Sequence, residues 1–98
     1  MSKGRVLITG ASSGIGAALA VQFAKNDYDL VITARRGQAL EAVRDFIDAG
    51  VDVDIITCDL ASSDGPANLT SEIEARGIQV DILVNNAGIL RDKSFKNM

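Results

Sequence analysis

The stretch that decides the fold is Thr9-Gly10-Ala11-Ser12-Ser13-Gly14-Ile15-Gly16. It follows the apolar run 6–8, which is typical of a parallel strand buried on both faces, and it precedes residues with helical periodicity. A helix start offers unpaired backbone N–H groups and the positive end of the helix dipole, so a glycine-rich turn at that point binds pyrophosphate. The turn therefore predicts a dinucleotide site.

Each glycine of the turn has its own predicted role. Gly10 allows the tight turn, Gly14 lets the backbone approach the phosphates, and Gly16 lets the helix pack against the strand. The alternative is a plain strand-to-helix turn in which Ser12 only caps the helix. The candidate cofactor-binding residues of this stretch are Gly10, Ser12, Ser13, Gly14, Ile15 and Gly16.

Short apolar runs alternate with stretches of helical period along the rest of the chain. A helix is predicted over residues 14–26, with Ile15, Leu19 and Phe23 on one face. A second buried strand covers 30–32 and ends at Ala34. The remaining predicted elements are a helix over 37–49 stopped by Gly50, a strand over 51–58, a helix capped by Ser62 or Ser63 with Pro66 in its first turn and Gly77 at its end, and a strand over 80–84.

This alternation predicts an α/β fold of the Rossmann type. Right-handed crossovers place four parallel strands in the order 3-2-1-4, with helices on both faces of the sheet. Ligand is expected above the point between strands 1 and 4 where the strand order reverses. At 98 residues, the whole chain is predicted to form one such unit.

Composition excludes several other classes of protein. The chain is 47% hydrophobic and 23% charged, which is ordinary for a globular protein, and its net charge of −3 argues against a nucleic-acid or membrane surface. Cys58 is the only cysteine and histidine is absent, so an internal disulfide cannot form and a zinc site is not expected. The first residues carry no long apolar core of a signal peptide, so a cytoplasmic location is expected.

Two arginines after the second strand favour one dinucleotide over the other. An acidic residue at this place binds the ribose 2′-hydroxyl of NAD, whereas an arginine accommodates the 2′-phosphate of NADP. Here the strand ends in Thr33-Ala34-Arg35-Arg36 without a carboxylate. A guanidinium binds phosphate through two parallel hydrogen bonds, so NADP(H) is preferred over NAD(H). The alternative is that Arg35 and Arg36 are simply a solvated loop pair.

The chain resembles the N-terminal half of the short-chain dehydrogenase/reductase family. The family motif T-G-x-x-x-G-x-G is matched by residues 9–16, its N-N-A-G segment by residues 85–88, and its aspartate after the third strand by Asp59. The strand-four entry D-I-L-V is also similar. The tail from Gly88 onward most resembles ketoacyl-carrier-protein reductases and hydroxyacyl dehydrogenase domains.

The resemblance implies roles for residues that are ambiguous by themselves. Asp59, with Leu60, would contact the adenine, although an aspartate after a strand is more often a helix cap. One asparagine of the pair 85–86 would organise the sheet, whereas Asn86, Ala87 and Gly88 would approach the ribose and nicotinamide. Asparagines at such a place also serve as plain turn residues. Cys58 is interpreted as a small buried residue, with a reactive thiol as the alternative.

The family's catalytic Ser, Asn and Tyr-x-x-x-Lys lie C-terminal to N-N-A-G and have no match here. Tyr28 is followed four positions later by Ile32 rather than lysine, so it is interpreted as a packing residue. No catalytic residue and no metal ligand is assigned. The chain is thus expected to be the NADP-binding half of an oxidoreductase, truncated before the catalytic half and not turning over alone.

The alternative is a non-catalytic dinucleotide-binding or fold-only module that self-associates. In the family a fifth strand pairs with the fourth, so its absence would leave the edge over 80–84 open to another chain. A homodimer, a complementary chain, or a rearranged segment from Ile89 onward would each cover that edge.

Overall fold

The computed structural model describes residues 2–12, 14–47 and 50–86, which form a parallel four-stranded sheet with helices on both faces. None of the described helices is long and apolar enough to cross a bilayer. The elements in chain order are β1 (Arg5–Thr9), α1 (Gly14–Lys25), β2 (Asp29–Ala34), α2 (Gly37–Phe46), β3 (Val53–Thr57), α3 (Gly65–Ala75) and β4 (Ile82–Val84).

The strand order β3-β2-β1-β4 confirms the predicted topology. In register, Leu7 of β1 lies beside Val31 of β2 on one side and Leu83 of β4 on the other. The carboxyl ends of the strands therefore share one edge of the sheet. This is the edge at which ligands bind in open α/β sheets.

The two faces of the sheet carry separate hydrophobic cores, because successive side chains of a strand point to opposite faces. Leu7 and Val31 pack with Leu69 and Ile73 of α3, so α3 covers one face. The other core contains α1 and α2 with the alternate strand residues; its buried members are Val6, Ile8, Ala11, Ala20, Leu30, Ile32, Leu40, Val43 and Ile47. The fully buried strand centres explain the uninterrupted apolar runs of β1 and β2.

The buried face of α1 differs from the prediction. Gly16 and Ala20 are its buried residues, whereas Ile15 is 71% exposed. Leu19 and Phe23 are only partly buried against the core. The close approach of Gly16 to the preceding turn brings the Gly16–Ala20 side onto the sheet, and Ile15 consequently faces outward.

The helix α2 ends earlier than predicted. Its last residue is Phe46, and Ile47 already has an extended backbone (φ −76°, ψ 129°). Ile47 is nevertheless buried. The apolar spacing that starts at Leu40 therefore includes a residue that packs into the core from an extended backbone and not from a helix. Gly50, at φ 122°, belongs to the turn before β3 and does not stop the helix.

Neither predicted serine caps α3. Asp64 occupies the cap position without a side-chain hydrogen bond, and the Ser62 hydroxyl donates to the Asp59 carbonyl instead, at 2.9 Å. Pro66 lies in the first turn, as predicted. The strands β3 and β4 are each shorter than their predicted ranges of 51–58 and 80–84, because the paired residues are 53–57 in β3 and 82–84 in β4.

Two threonines beside one another in the sheet have unlike environments. Thr9 and Thr33 are register partners, and both are fully buried. The Thr9 hydroxyl lies 3.3 Å from Asn85 Oδ1 and 3.5 Å from the Val84 carbonyl, whereas the Thr33 hydroxyl has no hydrogen-bond partner. An unpaired buried hydroxyl costs stability, because its bonds to water are lost on folding.

The pair Thr33→Val and Thr9→Val therefore tests this difference directly. Thr33→Val is expected to leave the free energy of unfolding unchanged or raise it by about 1 kcal/mol, because a methyl group replaces an unsatisfied hydroxyl. Thr9→Val is expected to lower the free energy of unfolding by about 1–2 kcal/mol, because valine leaves the groups that pair with the Thr9 hydroxyl without that hydrogen bond. Urea unfolding measures both values. Equal destabilisation by the two changes would contradict the assignment.

Candidate dinucleotide-binding site

A pocket of about 390 Å³ lies at the carboxyl ends of β1, β2 and β3. It brings together six of the residues that the sequence predicts for a cofactor, which are Gly10, Ser12, Arg35, Arg36, Asp59 and Leu60. These residues come from three separate loops. Their convergence follows from the parallel sheet, which places the ends of neighbouring strands side by side.

The two arginines of the pocket differ from the other arginines that the structure describes. Arg5, Arg44 and Arg76 each lie within 4 Å of a carboxylate, and the Arg76–Glu72 pair is at 2.8 Å. In the described chain, the guanidinium groups of Arg35 and Arg36 have no ion pair and no hydrogen bond; both residues are exposed. The pocket therefore has two available cations at its rim.

Three segments meet at the carbonyl oxygen of Gly10. A Cβ on Gly16 would lie 2.1 Å from that oxygen, so only glycine permits the approach of α1. The Asn86 side-chain amide donates to the same oxygen at 3.1 Å. The packing role predicted for Gly16 is therefore confirmed, and Asn86 ties the end of β4 to the glycine turn.

The remaining residues of the turn leave space at the start of α1. Gly10 and Gly14 have φ of 62° and 55°, in the region that favours glycine. No atom lies within 4 Å of the position that a Cβ on Gly14 would occupy, so the backbone there is open to a ligand. Ile15 is exposed and does not line the pocket. Ser13, Ala87 and Gly88 lie outside the described residues.

The loop after β3 forms the opposite wall of the pocket. Asp59 Oδ1 accepts a hydrogen bond from the Ala61 N–H at 3.0 Å, so Asp59 organises its own loop and does not cap α3. Leu60 is 8% exposed and packs into the core under α3. The apolar side chain of Leu60 therefore anchors this wall of the pocket to the core on the α3 face of the sheet.

Cys58 lines the same pocket, half-buried, and its thiol donates to the Gly65 carbonyl at 3.1 Å. Burial raises the pKa of the Cys58 thiol above its ordinary value, and the neighbouring Asp59 carboxylate raises it further. A hydrogen bond with the Leu69 backbone opposes these effects. Since the thiolate is the nucleophile, this environment favours the packing interpretation of Cys58 over the reactive one.

Alkylation of Cys58 should therefore be slow in the folded protein at pH 7–8 and should titrate at higher pH than in the urea-unfolded chain. The raised pKa contributes stability that is present at neutral pH and is lost as the pH rises through the folded-state pKa. Iodoacetamide labelling from pH 7 to 10, followed by mass spectrometry, measures the two midpoints. Asp59→Asn should lower the folded midpoint. A folded midpoint below the unfolded one would contradict the prediction.

Sequence reasoning missed several residues of this site. Ala34, Ala39 and Ala61 line the pocket, and their small side chains keep it open. Ala34 ends β2 and Ala61 lies two residues after Asp59, whereas Ala39 lies in α2, and alanine carries no chemistry that singles it out. Tyr28 packs edge-on against Phe23, with ring centroids 5.4 Å apart, as a packing residue should. Within the described ranges, no three His, Cys, Asp or Glu side chains cluster to hold a metal.

The strand order, the glycine turn against α1 and the pocket at the carboxyl edge define a protein with a Rossmann-type fold. The sequence model of the short chain dehydrogenase family matches residues 4–98. The chain belongs to the short chain dehydrogenase family.

Named relatives agree with this assignment. The chain is 44% identical over 86 residues to a fatty acyl-CoA reductase of Mycobacterium tuberculosis, an alignment covering 86% of this chain and 29% of that protein. It is 38% identical over 94 residues to a 3-oxoacyl-[acyl-carrier-protein] reductase of Staphylococcus aureus, covering 94% and 38% respectively. The resemblance to ketoacyl-carrier-protein reductases is thereby confirmed.

A solved structure gives the same result for the fold. A metagenomic short-chain oxidoreductase, determined in complex with NADP, superposes with a TM-score of 0.77 at 40% identity. The match covers 91% of this chain and 41% of that one. The chain thus spans between 29% and 41% of the length of these three proteins.

Proposed function

We propose that this chain binds NADP(H) as the cofactor-binding portion of an oxidoreductase that transfers hydride between the nicotinamide and a carbonyl or hydroxyl substrate. The observation that carries the proposal is the pocket itself, in which two unpaired guanidinium groups lie beside a glycine turn at the carboxyl edge of the sheet. The NADP complex of the metagenomic relative supports the same cofactor.

The pyrophosphate belongs at the glycine turn. Backbone N–H groups at the start of α1 have no partner within the helix, and the helix dipole adds partial positive charge there. The open space beside Gly14 admits the phosphates, and the Ser12 hydroxyl at the pocket rim can donate to them. Ser13 and Ile15 are proposed to contribute through the same turn.

The 2′-phosphate belongs beside Arg35, with Arg36 as a second or alternative contact. Charge-assisted hydrogen bonds of this kind contribute on the order of 1.5–3 kcal/mol each, which is enough for a strong preference over NAD(H). The other three described arginines lie beside carboxylates, and no lysine of the described ranges lines the pocket, so Arg35 and Arg36 are the cations of the pocket that a phosphate can use.

The adenosine and nicotinamide ends would be held by the loops on either side of β1. Asp59 and Leu60 are proposed to contact the adenine, because they form the pocket wall after β3. Asn86, Ala87 and Gly88 are proposed to approach the ribose and nicotinamide from the end of β4. Bound NADPH would supply a hydride to a carbonyl, and bound NADP+ would accept one from the carbon that bears a hydroxyl; no residue of this chain is assigned as the proton donor or acceptor.

Titration with NADPH and NADH by calorimetry tests the proposal. NADPH should bind at least tenfold more tightly, and Arg35→Asp should reverse the order, because a carboxylate repels the 2′-phosphate and accepts the 2′-hydroxyl of NADH. Arg44→Asp makes the same charge change on α2 outside the pocket. This control variant should therefore keep the preference of the unaltered protein for NADPH over NADH. If neither dinucleotide binds at millimolar concentration, the proposed function is wrong. If Arg35→Asp still binds NADPH more tightly than NADH, Arg35 does not determine the preference.

A second candidate is a module that self-associates through β4. Among the described residues β4 pairs with β1 alone, and Ile82 at its start is 36% exposed. An edge strand with unpaired backbone groups is a template for pairing with another chain. We propose a homodimer or a complementary chain at this edge.

Sedimentation of Ile82→Lys tests the edge. A lysine on an edge strand disfavours strand pairing, so the variant should shift toward monomer relative to the unaltered protein. Phe46→Lys, which replaces a side chain 76% exposed on α2, is the matched control. Dissociation by Phe46→Lys but not by Ile82→Lys would place the contact on the helical face and contradict the edge proposal.

A further inference from the structure

Gly65, the first residue of α3, packs against the back of the loop that carries Asp59. A Cβ on Gly65 would lie 2.1 Å from the Asp59 carbonyl oxygen and 2.8 Å from the Leu60 Cα. Both are backbone atoms, so no side-chain rotation relieves the overlap. Unlike Gly14 and Gly77, Gly65 is therefore required by close packing and not by a positive φ.

The contacts around Gly65 hold this loop in one shape. The Gly65 N–H donates to the Ser62 carbonyl at 3.2 Å, and the Gly65 carbonyl accepts from the Cys58 thiol at 3.1 Å. The Asp59 carbonyl, which faces Gly65, also accepts from the Ser62 hydroxyl and the Ser62 N–H, at 2.9 and 3.2 Å. The Asp59 carbonyl is thus held by Ser62 and packed against Gly65, neither of which lines the pocket.

The front of the same loop is the pocket wall. Asp59, Leu60 and Ala61 line the pocket, whereas Gly65 does not. The Ala61 N–H occupies Asp59 Oδ1 at 3.0 Å, and in the described chain no group hydrogen-bonds to Asp59 Oδ2. A fixed carboxylate with one available oxygen discriminates an amino group, which donates to it, from a carbonyl, which repels it.

We propose that Gly65 is a positioning residue that sets adenine specificity by fixing the Asp59 carboxylate at the pocket wall. The inference rests on the proposed binding of NADP(H). It predicts that a methyl group at residue 65 displaces the Asp59 backbone and weakens recognition of the adenine amino group. The pyrophosphate and 2′-phosphate contacts, which lie on other loops, keep their strength.

The test compares NADPH with reduced nicotinamide hypoxanthine dinucleotide phosphate, in which a carbonyl replaces the adenine amino group. The unaltered protein should prefer NADPH by about tenfold or more, the size of one charge-assisted hydrogen bond. Gly65→Ala should reduce this ratio to that of Asp59→Asn, and the double variant should reduce it no further. A merely structural role would change the folded fraction for both ligands alike and leave the ratio intact.

Two further variants keep the test decisive. Gly77→Ala introduces strain at φ 67° at the other end of α3, away from the loop, and should keep the ratio while lowering stability. If Gly65→Ala does not fold, Ser62→Ala loosens the same Asp59 carbonyl from an exposed position and should lower the ratio partially. No binding of NADPH by the unaltered protein overturns the proposed function. Binding of NADPH with a ratio near one, or an undiminished ratio in the variant that folds, overturns the role of Gly65 alone.

Discussion

The end of β1, the start of α1 and the end of β4 all meet at one backbone oxygen, the carbonyl of Gly10. Gly16 reaches it because it has no side chain, and Asn86 reaches it with its amide. This contact fixes how closely the first helix approaches the sheet and where the fourth strand ends. The outward position of Ile15 follows from it, and Gly10 itself lines the pocket. A side chain at residue 16 would push the start of α1 away from the Gly10 carbonyl and so disturb its packing against the end of β1.

The same kind of close packing recurs on the other side of the pocket. Gly65 approaches the Asp59 carbonyl as Gly16 approaches that of Gly10, with the same 2.1 Å between the oxygen and a would-be Cβ. In both places a helix start is brought against the backbone of a loop that follows a strand. A helix start that packs against the backbone of a loop restricts the movement of that loop. Polar groups on such a loop keep a defined position at the pocket, which favours binding.

The charge distribution is compatible with the proposed binding of a highly charged anion by an acidic chain. The net charge is −3, yet the charged groups that line the pocket are two unpaired arginines and one aspartate. Elsewhere in the described chain, carboxylates engage the side chains of Arg5, Arg44 and Arg76. The proposed attraction for phosphate would therefore be local, because it depends on the position of the end of β2 and not on the overall charge.

The sequence by itself determined the fold class, the strand order and the glycine turn. The strands at 6–8 and 30–32 are apolar without interruption because both faces of the sheet are covered, and the spacing of Thr9, Gly10, Gly14 and Gly16 is a local pattern. Such features depend on neighbours along the chain, so a linear reading captures them.

Only the tertiary structure decided which side of α1 is buried, where α2 ends and what Ser62 binds. Periodicity could not show that Gly16 rotates Ile15 outward, since that contact is made with a backbone atom six residues away in another element. Ile47 continued the helical spacing although it packs in an extended conformation. The close packing of Gly65 and the lack of an ion pair at Arg35 could not be predicted from the sequence either. Each depends on which atoms of separate segments come close, and only the packed chain determines that.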